Sequence, residues 1–183
     1  MQVIDLISDR LILKQGNFED YKKVYEYDFR KLRNINGEFN YVKYKNDEMI
    51  RLMSTPNVNP DEYDYIIYLK ESMIPIGNIM ADRKNETLNS LELSFNLHPN
   101  YWKNGYMTEA ILIFCDYLYQ MGYDNILCGY SEGNEKSKLI GKKIGFTFYE
   151  KEENAWIKDG VEITDYKTIL SKSDFYKKEQ KQI

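Results

Sequence analysis

The stretch from Leu91 to Gly122 constrains the fold most, because its hydrophobic period changes once and abruptly. The first part alternates apolar and polar residues and predicts a strand with one buried face; these residues are Leu91, Leu93, Phe95 and Leu97 against Glu92, Ser94 and Asn96. Beyond Gly105 the apolar residues recur at helical spacing, at Ala110, Phe114, Tyr117, Leu118 and Met121. The pattern predicts a strand, a short polar loop and a helix that ends at Gly122.

The polar loop between that strand and that helix is a candidate site for an anion. The first turn of a helix has unpaired N–H groups and lies at the positive end of the helix dipole. Gly105 has no side chain, so a phosphate can approach the main chain there. A helix cap without a ligand is the alternative interpretation, and Lys103 either adds charge or is simply solvated.

Composition favours one soluble globular domain. The chain has 183 residues, of which 43% are hydrophobic and 30% charged, an ordinary balance for a domain with its own core. We expect a single domain over residues 1–183, with a core at about 8–170 and a charged tail at 171–183. The net charge of −4 argues against a general nucleic-acid binder.

The cysteines and the apolar runs restrict the chemistry and the compartment. Cys115 falls in the predicted central helix and Cys128 in a predicted strand, so both are expected in the core. Two cysteines without CxxC or histidine spacing indicate neither a disulfide framework nor a zinc site, so no metal is predicted. No signal peptide opens the chain and no apolar run reaches membrane-spanning length, so we expect a cytoplasmic protein without membrane contact.

The remaining periodicities predict elements in the order β-α-α-β-β-β-α-β-α-β-β. Further strands are expected at 9–14, 63–69, 74–81, 125–130, 146–149 and 161–169, with a turn at Asp159-Gly160 before the last. Further helices are expected at 18–30, 46–53 and 134–144, with Asn17 and Asn46 as N-caps, Gly145 as the terminator and Leu139, Ile140 and Ile144 facing inward. Residues 31–45 are predicted to be a loop or broken helix, and the tail a short helix or a frayed end.

Two motifs, HPNYWKNGYMTEA from His98 and GNEKSKLIGKKIGF from Gly133, resemble the GNAT superfamily of acetyl-CoA-dependent N-acetyltransferases. The chain is most similar to the branch with the ribosomal-protein N-terminal (alanine) acetyltransferases, over about residues 8–170. The resemblance implies an α/β (α+β) fold in which helices flank both faces of a mixed, mostly antiparallel central sheet. The family's pyrophosphate loop, Arg/Gln-x-x-Gly-x-Gly/Ala, falls on Trp102–Met107, where Trp102 and Met107 depart from it.

The resemblance also implies roles for individual residues. The loop would hold the pyrophosphate of acetyl-CoA through Lys103, Asn104, Gly105, Tyr106 and Met107, with the Thr108 hydroxyl added. Main-chain N–H groups of Phe95, Asn96 and Leu97 would hold the thioester oxygen. Asn134 would contact the pantetheine arm or substrate, or serve only as a helix N-cap. Ser137 would protonate the departing sulfur or serve only the helix start. Lys143 would meet the nucleotide 3′-phosphate or belong to a solvated basic face.

Glu92 is the candidate general base, since this branch can use a glutamate at the matching position. A polar residue on the exposed face of a strand is the alternative. His98, the only histidine, precedes a proline at a strand end and is expected to be structural.

These residues predict acetyl transfer from acetyl-CoA, as cosubstrate, to a primary amine of a protein N-terminus, a polyamine or a small molecule. Transfer would be direct, within a ternary complex, because neither cysteine stands in a nucleophile motif. The alternative is a non-catalytic CoA-binding sensor or scaffold, to which Met107 gives weight. A third hypothesis is a ribosome-associated modifier whose lysine-rich tail touches RNA. The oligomeric state stays open between a monomer and a homodimer.

Overall fold

The computed structural model describes residues 4–26, 47–55, 59–158 and 160–179. Its strands are β1 Leu6–Ile7, β2 Leu11–Lys14, β3 Tyr63–Leu69, β4 Pro75–Asn85, β5 Ser90–Leu97, β6 Asn125–Ser131, β7 Thr147–Lys158 and β8 Val161–Ser171. Its helices are α1 Phe18–Tyr25, α2 Asp47–Ser54, α3 Tyr106–Gln120, α4 Glu135–Ile144 and α5 Lys172–Glu179, with a 3₁₀ turn at Pro99–Tyr101. The predicted order is confirmed, with β1 added before it and α5 after it.

The strands hydrogen-bond in the order β1-β2-β3-β4-β5-β6-β8-β7. The chain divides into two compact units, the first comprising Met1–Ala81 and Phe95–Phe114 and the second Asp82–Ser94 and Cys115–Ile183. The hairpin of β4 and β5 and the helix α3 each run from one unit into the other. The predicted α/β class with a mixed, mostly antiparallel sheet is confirmed.

In the first unit, β2 pairs antiparallel with β1 and β3, and β3 pairs antiparallel with β4. The register of β3 and β4 shifts between Ile67 and Tyr68, which pair with Gly77 and Pro75. A bulge of this kind tolerates proline and glycine within a strand. Asn17 caps α1 as predicted, because its side chain accepts from the N–H groups of the first turn. The buried face of α1 packs into a cluster made of Tyr21, Val24, Ile50, Ile66 and Tyr68.

In the second unit, β5 pairs parallel with β6, while β8 pairs antiparallel with both β6 and β7. The C-terminal half of α3 is buried at Cys115, Leu118 and Tyr119. The tail is ordered over α5: the Phe175 side chain is only 2% exposed and its ring lies 5.2 Å from that of Tyr119. The hydroxyl of Tyr119 donates to the carbonyl of Leu170 at 2.8 Å, so β8 is fixed as well.

Some expectations were wrong. Leu139 was expected inward but is 61% exposed, because the buried stripe of α4 runs through Gly141 and Ile144. β7 was expected to end at Tyr149 but continues to Lys158; register shifts after Phe148 and after Glu152 interrupt the alternation on which that prediction depended. Helix α1 was expected to reach Arg30 but is capped at Glu26. The predictions for residues 31–45, Asn46 and Asp159 lie outside the described residues.

Candidate functional site

The predicted anion loop lies in the first unit, between the end of β5 and the start of α3. Two of its residues are left-handed, Lys103 with φ of 66° and Gly105 with φ of 79°. A left-handed conformation costs an L-residue roughly 1–2 kcal/mol, whereas glycine adopts it freely. The carbonyl of Gly105 then accepts the first helical hydrogen bond, from the N–H of Glu109 at 3.1 Å. Residues 103–105 are exposed, so the start of α3 is open to an anion.

Side chains within the loop fix its shape. The indole N–H of Trp102 donates to the carbonyl of Leu97 at 2.7 Å and ties the loop to the end of β5. The side-chain amide of Asn104 donates to the carbonyls of Tyr101 at 3.2 Å and Trp102 at 3.0 Å. Trp102 and Asn104 therefore hold the loop through their side chains, and the main chain is the part that can meet a ligand.

Met107 stands where the loop pattern has a small residue, and its side chain is buried. Only 4% of it is exposed. Its side chain therefore does not cover the exposed surface that Lys103, Asn104 and Gly105 form. The departure of Met107 from the loop pattern therefore leaves that surface open.

Ser8, Arg10 and Glu109 form a cluster beside the loop, here named the Arg10 clamp, which the sequence interpretation missed. One oxygen of the Glu109 carboxylate accepts from the Ser8 hydroxyl at 2.8 Å and from the Arg10 N–H at 3.0 Å. The other accepts from Nε of Arg10 at 2.7 Å. Burial alone would raise the pKa of Glu109, but the hydrogen bonds from Ser8 and Arg10 and the charge of Arg10 outweigh it and lower that pKa.

The hydrogen bonds of β5 show which main-chain N–H groups point away from β4 among Phe95, Asn96 and Leu97. The N–H of His98 donates to the carbonyl of Ile76 at 2.8 Å, so His98 faces β4. Because alternate residues of an antiparallel strand bond the same neighbour, Asn96 faces β4 too, and its carbonyl lies on the Gly77 side. The N–H groups of Phe95 and Leu97 point to the opposite edge.

Glu92 lies in the second unit, on the polar face of β5. Its Oε1 is 3.3 Å from Nη1 of Arg83, a residue that the sequence interpretation did not single out. The Glu92 side chain is 20% exposed, and the side chain of Arg83 is largely solvated. Gly129 lies next to the carboxylate, since a Cβ atom there would be 3.7 Å from Oε1 of Glu92. The carboxylate is therefore partly shielded, held by one cation and still open to solvent.

Both cysteines are buried and unable to act as nucleophiles. Burial, followed by the nearby charge of Glu92, raises the pKa of Cys128 to about 12. Burial also raises the pKa of Cys115. At neutral pH both are therefore thiols, which are far weaker nucleophiles than thiolates. Their predicted place in the core is confirmed.

Asn134 and Ser137 come together at the start of α4, in the second unit. The Asn134 side-chain oxygen accepts from the Ser137 N–H at 3.3 Å, so Asn134 is the N-cap. Ser137 is half-buried in the first turn. Lys143 is exposed in the last turn of the same helix, about nine residues or ~13 Å from the cap. The cap accounts for Asn134 structurally, and its contact with a ligand stays a prediction.

The only histidine, His98, has a structural role. Its side chain caps the 3₁₀ turn, where Nδ1 accepts from the N–H of Asn100 at 3.3 Å.

Within the described ranges, no group of three or more histidine, cysteine or acidic side chains has a geometry that would hold a metal ion. None of the helices in those ranges is both long and apolar enough to cross a bilayer.

The chain resembles known acetyltransferases in sequence and in fold. The profile of the acetyltransferase (GNAT) domain matches residues 10–147. An uncharacterized N-acetyltransferase of Schizosaccharomyces pombe is 31% identical over 75 residues, which are 41% of this chain and 40% of that protein. YnaD of Bacillus subtilis, an uncharacterized N-acetyltransferase, is 24% identical over 146 residues, which are 76% of this chain and 81% of that protein.

A solved structure with a similar fold is the ribosomal-protein-S5-alanine acetyltransferase from Vibrio fischeri. The TM-score is 0.75 at 14% identity, and the match covers 94% of this chain and 98% of that one. At this identity the likeness shows a shared fold.

Proposed function

The chain belongs to the GNAT acetyltransferase family, whose members are acetyl-CoA-dependent acyltransferases, and we propose that it acetylates a primary amine. The observation that carries the proposal is the exposed loop from Lys103 to Gly105, which lies between β5 and the N-terminus of α3 inside the matched residues. The buried Met107 supports it, since the loop surface is left open.

The loop would bind the pyrophosphate of the cosubstrate through its main chain. The N–H groups of Lys103–Met107 would donate to phosphate oxygens, and the positive end of the α3 dipole would add to their effect. The hydroxyl of Thr108 and the charge of Lys103 would contribute at the edge. Asn134 would contact the pantetheine arm, and Lys143 the 3′-phosphate of the nucleotide.

In the transfer step, Glu92 would accept a proton from the ammonium group of the acceptor. The amine nitrogen would then form a bond to the acetyl carbon while the carbon–sulfur bond breaks. The N–H group of Phe95 or that of Leu97 would donate to the carbonyl oxygen as it gains negative charge. Ser137 would give a proton to the departing sulfur and regain one, through water, from the new amide nitrogen, which loses its second proton as the amide forms. The two buried thiols support a direct transfer without an acyl-enzyme.

The acceptor is proposed only as a class: an amine of a protein N-terminus, a polyamine or a small molecule. Binding of RNA by the three lysines of α5 has little support, because their side chains make contacts within their own unit. Lys172 donates to the carbonyl of Tyr119, Lys178 donates to that of Lys143, and Lys177 pairs with Asp174.

Glu92→Gln tests the enzyme against the CoA-binding sensor, on both amine classes. An alkyl ammonium has a pKa of about 10.4, so its deprotonation at pH 7 costs roughly 4–5 kcal/mol, whereas an α-ammonium of pKa near 8 costs roughly 1.4 kcal/mol. With an alkyl ammonium the variant should lose about 10²-fold or more in kcat/KM at pH 7. The loss should shrink as pH nears the pKa of the amine, and be smaller throughout for an α-amine.

Arg83→Gln is the matched control, because it breaks the same ion pair and leaves the carboxylate. Its pH–rate profile should keep the wild-type shape. If the pH–rate profiles of the wild type and Glu92→Gln are parallel at every pH, Glu92 is not the base. If the protein binds acetyl-CoA but turns over none of a broad amine panel, the sensor hypothesis takes its place.

A further inference from the structure

The Arg10 clamp touches both the loop and the helix that follows it. Beyond its bonds to Glu109, the guanidinium of Arg10 donates through Nη1 to the carbonyl of Asn104 at 3.0 Å. Its Cζ lies 4.7 Å from the centre of the Tyr106 ring. Its Nη2 lies 3.5 Å from the position that a Cβ on Gly105 would take. One side chain thus borders three consecutive residues at the start of α3.

The contact with Asn104 determines the direction of the next N–H group. A trans peptide is planar, and its C=O and N–H point in opposite directions. The carbonyl of Asn104 points to Arg10, so the N–H of Gly105 points away from it. That N–H group is one of those proposed to meet the pyrophosphate. Without Arg10 the Asn104–Gly105 peptide can rotate, because glycine at Gly105 does not restrict it.

Arg10 also neutralises a charge that would oppose the cosubstrate. Glu109 is ionised in the first turn of α3, where a carboxylate is favourable for the helix. The same negative charge repels a phosphate at that helix end. The ion pair with Arg10 cancels it, and the Arg10 side chain is half-exposed, so the cation lies near the solvent side of the loop.

We propose that Arg10 is a positioning residue for acetyl-CoA, acting on the pyrophosphate through the loop. This rests on the proposed function, in which residues 103–107 hold that group. Arg10 orients the N–H of Gly105 and cancels the charge of Glu109. It takes no part in the acetyl transfer itself.

The test combines calorimetry with CoA and steady-state kinetics with acetyl-CoA on purified full-length protein. Arg10→Gln should raise the Kd of CoA and the KM of acetyl-CoA by about tenfold or more, as expected for the loss of charged hydrogen bonds, with kcat at saturation unchanged. Arg10→Lys keeps the charge but loses the forked pair of donors. Its Kd and KM should lie between those of the wild type and Arg10→Gln. Adding Glu109→Gln to Arg10→Gln should restore part of the lost affinity for CoA, because the unpaired negative charge is removed as well.

Two controls separate positioning from general damage. Lys14→Gln removes a cation from β2, where Lys14 lies over the Tyr68 ring, and should bind CoA like the wild type. S-acetylpantetheine lacks the pyrophosphate, so wild type and Arg10→Gln should use it with equal kcat/KM. A purely structural role of Arg10 would lower that value as well.

The outcomes are distinct. If wild type does not bind CoA, the proposed function fails and this inference fails with it. If wild type binds CoA and Arg10→Gln binds it equally well, only the inference is overturned. It is also overturned if Arg10→Gln loses kcat or loses activity on S-acetylpantetheine.

Discussion

Substitution of alanine for Gly77 should destabilise the protein, because β4 and β5 approach too closely there for a side chain. A Cβ atom on Gly77 would lie 2.4 Å from the carbonyl oxygen of Asn96 and 3.2 Å from Cα of Leu97. Real Cβ contacts essentially never fall below 3.0 Å, so the strands would have to separate by about 0.6 Å. The obstacle is main chain, which cannot turn aside as the end of a side chain can.

The neighbouring hydrogen bond gives the magnitude. The His98 N–H donates to the Ile76 carbonyl at 2.8 Å, and that separation would stretch it beyond the usual limit of about 3.2 Å. Its loss costs about 0.5–1.5 kcal/mol, and overpacking costs about 1–3 kcal/mol more. Gly77 does not have a positive φ, so alanine also lowers the entropy of the unfolded chain and returns about 0.4–1 kcal/mol. The net loss should be about 0.5–4 kcal/mol, with a central value of ~2 kcal/mol.

Thermal and urea denaturation measure this loss. At about 2–4 °C per kcal/mol for a chain of this size, Gly77→Ala should melt about 4–8 °C lower if it loses ~2 kcal/mol. Gly129→Ala is the matched control, since its Cβ would have ordinary contacts at 3.6 Å and 3.7 Å. It should melt close to the wild type. Equal melting of all three proteins, or an equal fall in both variants, would refute the close approach as the reason for Gly77.

Three further outcomes are expected. Gly105→Val forces a branched side chain into a left-handed conformation beside the phosphate site, and should weaken CoA binding in calorimetry by well over about tenfold while the protein stays folded. Ser137→Ala should lower kcat only mildly, by about 10²-fold at most, because water can protonate a thiolate of pKa near 8.5; mass spectrometry should find no acetylated Ser137. Glu109→Gln should lower the free energy of unfolding at pH 7. Because the folded pKa of Glu109 is lowered, that difference should narrow in urea titrations as the pH falls below about 4.5 and through the folded value.

Local periodicity was enough to predict the elements around the loop. The strand ending at Leu97, the helix start after Gly105 and the cap at Asn17 were each predicted from neighbouring residues, and the structure has all three. Their signals are local, since period and capping chemistry act within a turn or two of chain. β7 was predicted too short because a bulge changes the face on which each later residue lies.

The partners of the candidate residues could not be predicted from such local signals. Arg10 and Glu109 lie 99 positions apart, and neither the strand pattern of the first nor the helix pattern of the second refers to the other. The pairing of Arg83 with Glu92 follows from the β4–β5 hairpin, whose β4 continues past the end predicted for it. The roles of the candidate residues toward acetyl-CoA stay predictions.

The Arg10 clamp has a consequence for the order of events during synthesis. Its hydrogen bonds close chain segments of 94 to 101 residues. Contacts of such high contact order are slow to form, while hairpins and helices form within microseconds. A growing chain also cannot make them until Glu109 has left the ribosome. We therefore expect α3 to form first and the loop to reach its final orientation late, so that binding of the cosubstrate is among the last abilities the nascent protein acquires.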